Sequence, residues 1–151
     1  MSYFEIGVYR PLFEENIGTL WRSAQLFGAA GIFTIEGQYR WQPSNTLRTE
    51  RNIPLRCYKT WDAFMRVLPV GATLIGIEQG GRSLAGAWHP KQAIYLLGSE
   101  RDGLPCEIQE QCADVIAIPS GQPFSLNVAV AGSIVMYERQ QGRMWLRHIL
   151  S

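Results

Sequence analysis

Five residues carry side chains that could do chemistry in positions where a chain presents them to a ligand: Asn16, Arg22, Glu100, Ser125 and Asn127. Arg22 is a permanent cation with a planar fork of donors, suited to a phosphate or to charge developing on an oxygen. Glu100 lies in Gly98-Ser99-Glu100-Arg101-Asp102-Gly103. There a carboxylate can accept from amide groups, and two glycines let backbone approach a flat ligand closely. Ser125 and Asn127 are polar groups at the mouth of an apolar element, after the punctuated turn Pro119-Ser120-Gly121-Gln122-Pro123-Phe124. Each residue also has a plainer reading. Asn16 and Ser125 are good helix N-caps, a loop glutamate usually sits exposed in a turn, and an unselected arginine is most often solvated. Two features favour function. Gly18 sits one turn before Arg22 on the same side of a helix and opens space beside the guanidinium. Asn127 in a first helical turn breaks a local propensity rule next to a crevice.

The elements that must position these residues follow from hydrophobic periodicity. Phe4 to Tyr9 alternates as a strand and ends at Pro11. A helix follows from Glu14, with Ile17, Leu20, Trp21, Ala24 and Phe27 on one buried face, stopped by Gly28 and Gly31. Ile32 to Ile35 reads as a strand, and residues 37–59 have weak periodicity. Trp61 to Leu68 reads as a short helix closed by Pro69, and Thr73 to Ile77 as a strand running into Glu78-Gln79-Gly80-Gly81. Ala93 to Leu97 is a further strand, and Pro105 opens a helix running to Cys112. Asp114 to Ala117 is a buried strand, and Leu126 to Tyr137 is apolar and too long for a strand, hence a buried helix. This alternation predicts an α/β fold, a mostly parallel sheet with helices on both faces. The loops Tyr9 to Asn16, Glu78 to Gly81, Gly98 to Gly103 and Ser120 to Asn127 then share the edge where the strands end, and can converge on one crevice. Periodicity does not contain strand order.

Composition narrows the class. With 151 residues, 46% hydrophobic and 18% charged, the chain reads as one globular domain over 1–151. A net charge of +1 shows no general basic excess, so nucleic acid would have to be held by a local patch. Cys57, Cys106 and Cys112 are odd in number, lack CxxC spacing and follow no signal peptide, which predicts a reducing cytoplasm. No apolar run reaches the roughly 18 residues of a membrane span. His89, His148 and the scattered cysteines make a poor zinc set, so no metal is expected. Walker, G-x-G-x-x-G and G-x-S-x-G motifs are missing. Arg139, Arg143 and Arg147 recur every four residues, as cations near a helix C-terminus do. Trp145, Leu146, Ile149 and Leu150 beyond them read as a surface that packs on the protein's own core or on a partner subunit.

Three stretches in order, Asn16-Ile17-Gly18-Thr19-Leu20-Trp21-Arg22, Leu97-Gly98-Ser99-Glu100-Arg101-Asp102-Gly103-Leu104, and Ile118-Pro119-Ser120-Gly121 through Ser125-Leu126-Asn127-Val128-Ala129-Val130-Ala131, together resemble the motifs of the SpoU (TrmH-like) branch of the SPOUT RNA methyltransferases. The resemblance covers nearly the whole chain. It implies a carboxyl-terminal deep trefoil knot, one of the few exceptions to unknotted topology. It also implies a homodimer with the site at the subunit interface, and S-adenosylmethionine held by Ile77, Glu78, Gly98, Ser99, Ile118, Leu126 and Ala131, mostly through backbone. The implied reaction is methyl transfer to a ribose 2′-hydroxyl of tRNA or rRNA, with Arg22 as the catalytic residue supported by Asn16, Glu100, Ser125 and Asn127. A guanidinium pKa above ~12 argues against Arg22 as a simple base and for a phosphate or alkoxide clamp, unless a dimer-buried environment shifts it. Larger relatives carry an added RNA-binding domain; with the first strand starting at Phe4, none is expected here. Single-domain members include enzymes that modify the tRNA wobble ribose, and they recognise RNA with the dimer itself. The RNA contacts would then come from Arg10 and from the basic, aromatic-interleaved stretch with Arg40, Arg48, Arg51, Arg56 and Lys59. The competing function is a non-catalytic knotted RNA-binding or regulatory dimer.

Overall fold

The computed structural model describes residues 2–37 and 53–150, without the side chains of 143–147. Six strands, β1 (Tyr3–Tyr9), β2 (Gly31–Ile35), β3 (Leu55–Tyr58), β4 (Thr73–Ser83), β5 (Gln92–Leu97) and β6 (Asp114–Ala117), form one sheet in the order β3-β2-β1-β5-β4-β6. Every pairing is parallel. Parallel strands need covered faces, and alternate residues of each central strand supply two separate cores. Phe4, Ile6 and Val8 of β1, with Ala93, Tyr95 and Leu97 of β5, meet α1 (Glu14–Leu26) and α4 (Val128–Leu150) on one face. Tyr9, Ile94 and Leu96 meet α2 (Trp61–Arg66) and α3 (Cys106–Gln109) on the other. The predicted α/β architecture with helices on both faces is the one observed. No helix among the described residues is long and apolar enough to cross a membrane.

Four local differences have identifiable causes. β3 was hidden in the weakly periodic stretch because it is a four-residue edge strand with Arg56 and Cys57 exposed, so it shows no buried alternation. β4 does not end at Ile77. Residues 78–81 bulge out and pairing resumes, with Arg82 opposite Ile116 and Ser83 opposite Ala117. Gly80 turns this bulge at φ +86°, and a side chain on Gly81 would press into the Val115 backbone. Beyond Pro105, α3 is only four residues long. α4 starts two residues later than predicted and continues to Leu150, so Arg139 is not in a last turn. Arg139 is 2% exposed and donates to the carbonyls of Pro90 (2.7 Å) and Lys91 (3.2 Å), to the Tyr95 hydroxyl and to Ser2 Oγ.

The two long helices pack directly on each other at Gly132. A Cβ on Gly132 of α4 would stand 2.5 Å from Leu20 Cδ1 of α1 and also touch Leu97 and Ile6. Glycine there lets α4 seat against both α1 and the middle of the sheet, which fixes the stretch 118–127 that leads into it.

Candidate active site

Ile77, Leu97 and Ile116 stand at one level across β4, β5 and β6. Just beyond them the chain leaves the sheet three times, and the three exits line one open cleft. Ile77, Glu78, Gly98, Ser99, Ile118, Leu126 and Ala131 all line it, so the structure gathers every residue expected to hold a cofactor. Glu100 and Ser125 line it as well. Apolar walls from Ile77, Ile118, Leu126 and Ala131 beside peptide groups of the loop after β5 suit a flat, polar-edged ligand.

The loop after β5 is built to be rigid. Ser99 and Gly103 exchange two backbone hydrogen bonds of 3.2 and 3.1 Å, and Ser99 Oγ accepts from the Asp102 N–H. Glu78 Oε2 accepts from the Leu104 N–H at 2.6 Å, tying the loop to the β4 bulge. A side chain on Gly98 would collide with the Gly103 carbonyl carbon and the Leu104 nitrogen, and one on Gly103 would come within 2.5 Å of Glu78 Oε2. Gly103 also has φ +65°. The glycines expected to admit a ligand therefore serve first to let the two limbs of the loop touch each other.

From this loop a chain of hydrogen bonds runs from Glu100, on the cleft wall, to the starts of α1 and α4. Glu100 accepts from the N–H groups of Leu12 (2.7 Å) and Phe13 (3.4 Å) and from Asn16 Nδ2 (3.1 Å). Asn16 Oδ1 accepts from Asn127 Nδ2 at 2.9 Å. Asn127 Oδ1 in turn accepts from the Ala129 and Val130 N–H groups at 2.9 and 3.2 Å. Two capping expectations change. Phe13, not Asn16, precedes α1 and offers no side-chain acceptor. Glu100, from the neighbouring loop after β5, binds the two amides just before the helix and the Asn16 side chain in its first turn, and so meets the positive end of the helix. Asn127, not Ser125, caps α4 and so breaks no propensity rule; Ser125 Oγ instead accepts from Gln79 Nε2 at 3.3 Å. Four of the five proposed chemical residues thus join loops around one opening.

The model of the SpoU rRNA Methylase family matches residues 4–137. The chain belongs to that family. It is 33% identical over 138 residues to the mouse tRNA (guanosine(18)-2′-O)-methyltransferase TARBP1, covering 83% of this chain but 9% of that protein. A chain solved to examine 2-OH methylation of C/U34 on tRNA superposes with a TM-score of 0.84 at 27% identity, covering 95% of this chain and 97% of the other. An AdoMet-bound rRNA methyltransferase from Sinorhizobium meliloti superposes with a TM-score of 0.78 at 25% identity, covering 94% of this chain and 57% of the other.

The remaining residues singled out for this SpoU chain are more scattered. Arg22 is exposed on α1 and does not line the cleft. It shares its helix face with Thr19 and Leu26, and Gly18 has nothing within 4 Å of a Cβ position. Arg10 stands at the carboxyl edge with φ +51°, paired at 3.3 Å with Glu36 of the neighbouring strand exit. Arg56 faces away from that edge. It pairs at 2.5 Å with Glu5, in a recess with Tyr3 and Tyr58 under α2. Lys59 is exposed after β3. Arg40, Arg48 and Arg51 lie outside the described residues. Gln79, Arg101 and Phe124 line the cleft but were not singled out. An aromatic in an otherwise small and polar turn was the available signal for Phe124. No group of His, Cys, Asp and Glu that could hold a metal occurs among the described residues.

Proposed function

We propose that this SpoU-family chain is an S-adenosylmethionine-dependent RNA methyltransferase acting on a ribose 2′-hydroxyl of tRNA, with the wobble nucleotide the favoured target and rRNA the wider alternative. The observation that carries the reading is the single cleft lined by all seven residues expected to hold the cofactor, within a chain matched to the family from end to end of its sheet. Likeness to a chain studied for 2-OH methylation of C/U34 on tRNA supports the tRNA choice.

The fit to the cofactor rests on the donor set. Ile77, Ile118, Leu126 and Ala131 give an adenine its apolar walls, and the Gly98–Leu104 loop offers fixed peptide groups along its edge. When bound, the sulfonium supplies an electrophilic methyl group. The chain's own part is alignment. Glu100, Asn16 and Asn127 hold three loops in register, and a misplacement of about 1 Å at a reacting centre costs on the order of 100-fold in rate. Arg22 then acts on the RNA as a cation, holding a phosphate or stabilising charge as the hydroxyl gives its proton to solvent water.

Arg22 stands outside the cleft of its own chain, which supports a homodimer whose site is completed across the subunit interface. Beside it α1 and α4 expose an apolar groove lined by Thr19, Phe27, Ala129, Val130, Ile134 and Tyr137. Tyr137 is 55% exposed and Leu26 is 78% exposed, an unusual apolar face for a lone subunit. A trefoil knot is part of the same reading. Its support is that β6 lies at the sheet edge while the following α4 returns to pack at the centre, on Leu20, Leu97 and Ile6. The free thiols Cys57, Cys106 and Cys112 support a reducing cytoplasm, which cell fractionation tests.

Calorimetry with S-adenosylmethionine and S-adenosylhomocysteine, beside light scattering, tests the whole. Micromolar binding by a dimer, followed by mapping of a new 2′-O-methyl mark on tRNA, is expected. A folded dimer that binds neither compound, with or without tRNA, would favour a non-catalytic RNA-binding role. A monomer that binds nothing would sink the reading.

A further inference from the structure

Most polar groups around the cleft are committed to holding it. Glu78, Ser99, Glu100 and Ser125 are all engaged by neighbouring loop atoms. Two lining side chains are different. Arg101, on the loop after β5, and Phe124, on the loop after β6, make no hydrogen bond, ion pair or ring contact with the described residues. Arg101 is exposed, and Phe124 is 75% exposed. Single exposed apolar residues need no explanation on a convex surface. Phe124 instead stands on the lip of a concave site, in a turn whose other members are Ser120, Gly121, Gln122, Pro123 and Ser125.

We propose that Phe124 and Arg101 hold the nucleotide to be methylated, Phe124 by stacking on its base and Arg101 by pairing with an adjoining phosphate. The inference rests on the RNA methyltransferase reading of the same cleft. A nucleotide taken out of its stack offers a flat face and an anion, and among the described residues the cleft lip carries one exposed aromatic and one exposed cation. Unpaired bases are recognised on aromatic side chains, and such stacking tolerates any base because every base has a π face. With a net charge of only +1, the chain has little general field to gather RNA, so contacts beside the reacting atoms carry more of the affinity. Neither residue has a group that takes part in methyl transfer. Both are positioning residues, expected to act on RNA binding and not on the cofactor.

The test is steady-state kinetics of the full chain with radiolabelled S-adenosylmethionine and a pool of unmodified tRNA transcripts, with calorimetry of cofactor binding in parallel. Phe124→Ala should raise the RNA KM about tenfold, the scale of one base–aromatic stack. Cofactor Kd and dimer mass should stay within twofold of wild type. Phe124→Trp should restore the KM, which a merely structural role would not predict. Arg101→Gln should raise KM several-fold and reduce the slope of log KM against log salt by about one, as loss of one phosphate contact does. Phe124→Ala should leave that slope unchanged. Cofactor binding weakened in step with RNA binding would overturn the proposal in favour of a cofactor cover, and an unchanged KM would overturn it outright. A wild type that binds cofactor but methylates nothing in the pool would fail the underlying reading, and the inference with it.

Discussion

Glu100 at the carboxyl edge of the sheet and Arg139 at the amino edge are both ionic side chains with several partners, yet they serve opposite ends. Glu100 takes three donors from one neighbouring segment, Leu12 N, Phe13 N and Asn16 Nδ2, and leaves a cleft open beside it. Arg139 is sealed. Its guanidinium reaches the carbonyls of Pro90 and Lys91 just before β5, Ser2 just before β1, the Tyr95 hydroxyl, and lies 4.9 Å from the centre of the Phe4 ring. Next to it His89 bridges the Tyr95 hydroxyl and Glu138. At the amino edge, polar bonding closes the protein around its first residues. At the carboxyl edge, the same kind of bonding props loops apart. One end is built for stability and the other for a ligand, which is the usual division in an open parallel sheet.

Substitutions at the two ends should therefore separate binding from stability, and the largest effect belongs to the cleft. Gly98→Ala forces the limbs of the loop after β5 apart and should weaken S-adenosylmethionine binding on the order of 100-fold by calorimetry. Gly121→Ala, where a Cβ meets nothing within 4 Å, should leave it unchanged. Equal losses from both would mean that the loop is not the rigid wall described. Arg139→Ala strands the Pro90 carbonyl, takes one bond each from the Lys91 carbonyl and the Tyr95 hydroxyl, which keep Tyr3 N–H and His89, and empties a fully buried site. It should lower stability by about 3 kcal/mol, or roughly 10 °C in Tm, by calorimetric melting. Cofactor affinity in the folded protein should stay within twofold, and a coupled loss would break the contrast. Glu100→Gln keeps one acceptor but faces an amide towards donors. It should cost about 1–2 kcal/mol of stability and lower kcat/KM about tenfold with cofactor Kd little changed.

The smallest effect is silent at neutral pH. Burial, with the Glu5 carboxylate adding to it, pushes the Tyr3 phenol up to about 12. A folded-state value above the unfolded one near 10 leaves this contribution to stability intact below pH 10 and removes it as pH rises through 12. Denaturant melts between pH 9 and 12 should show a steeper loss for wild type than for Tyr3→Phe. Superimposable curves would show that the recess under α2 is wetter than its geometry implies.

How much of this was legible varies with the distance over which a residue acts. Ile17, Leu20, Trp21 and Ala24 are buried together because a helix repeats locally, and their spacing alone placed them. The central strands were equally plain, β1 from its alternation and β5 from the unbroken apolar run of a strand covered on both faces. Glu100 was visible as a candidate, but its partners lie more than eighty residues away, at Leu12, Phe13 and Asn16, and no local pattern reports them. The exchange of capping roles between Ser125 and Asn127 escaped for a related reason: both residues cap well, and only the seat of α4 on Leu20 decides which one meets the helix end. Arg139 misled the periodic reading because an arginine repeat looks the same whether its first member faces water or two carbonyls.

The order of the sheet has a further consequence for how the chain comes to be folded. Its middle pair joins Tyr3–Val8 to Gln92–Leu97, and β6 pairs with β4 only after β5 has already intervened in the chain. No two neighbouring strands are linked by a hairpin, so each pairing waits for a loop closure over tens of residues, and such topologies fold slowly. During synthesis β1 gains its second neighbour only when residue 97 has left the ribosome, and the cleft has all its walls only once Ala131 has. Until then apolar strand edges stand open. The nascent chain is therefore a natural client for chaperones at the stage when its site does not yet exist.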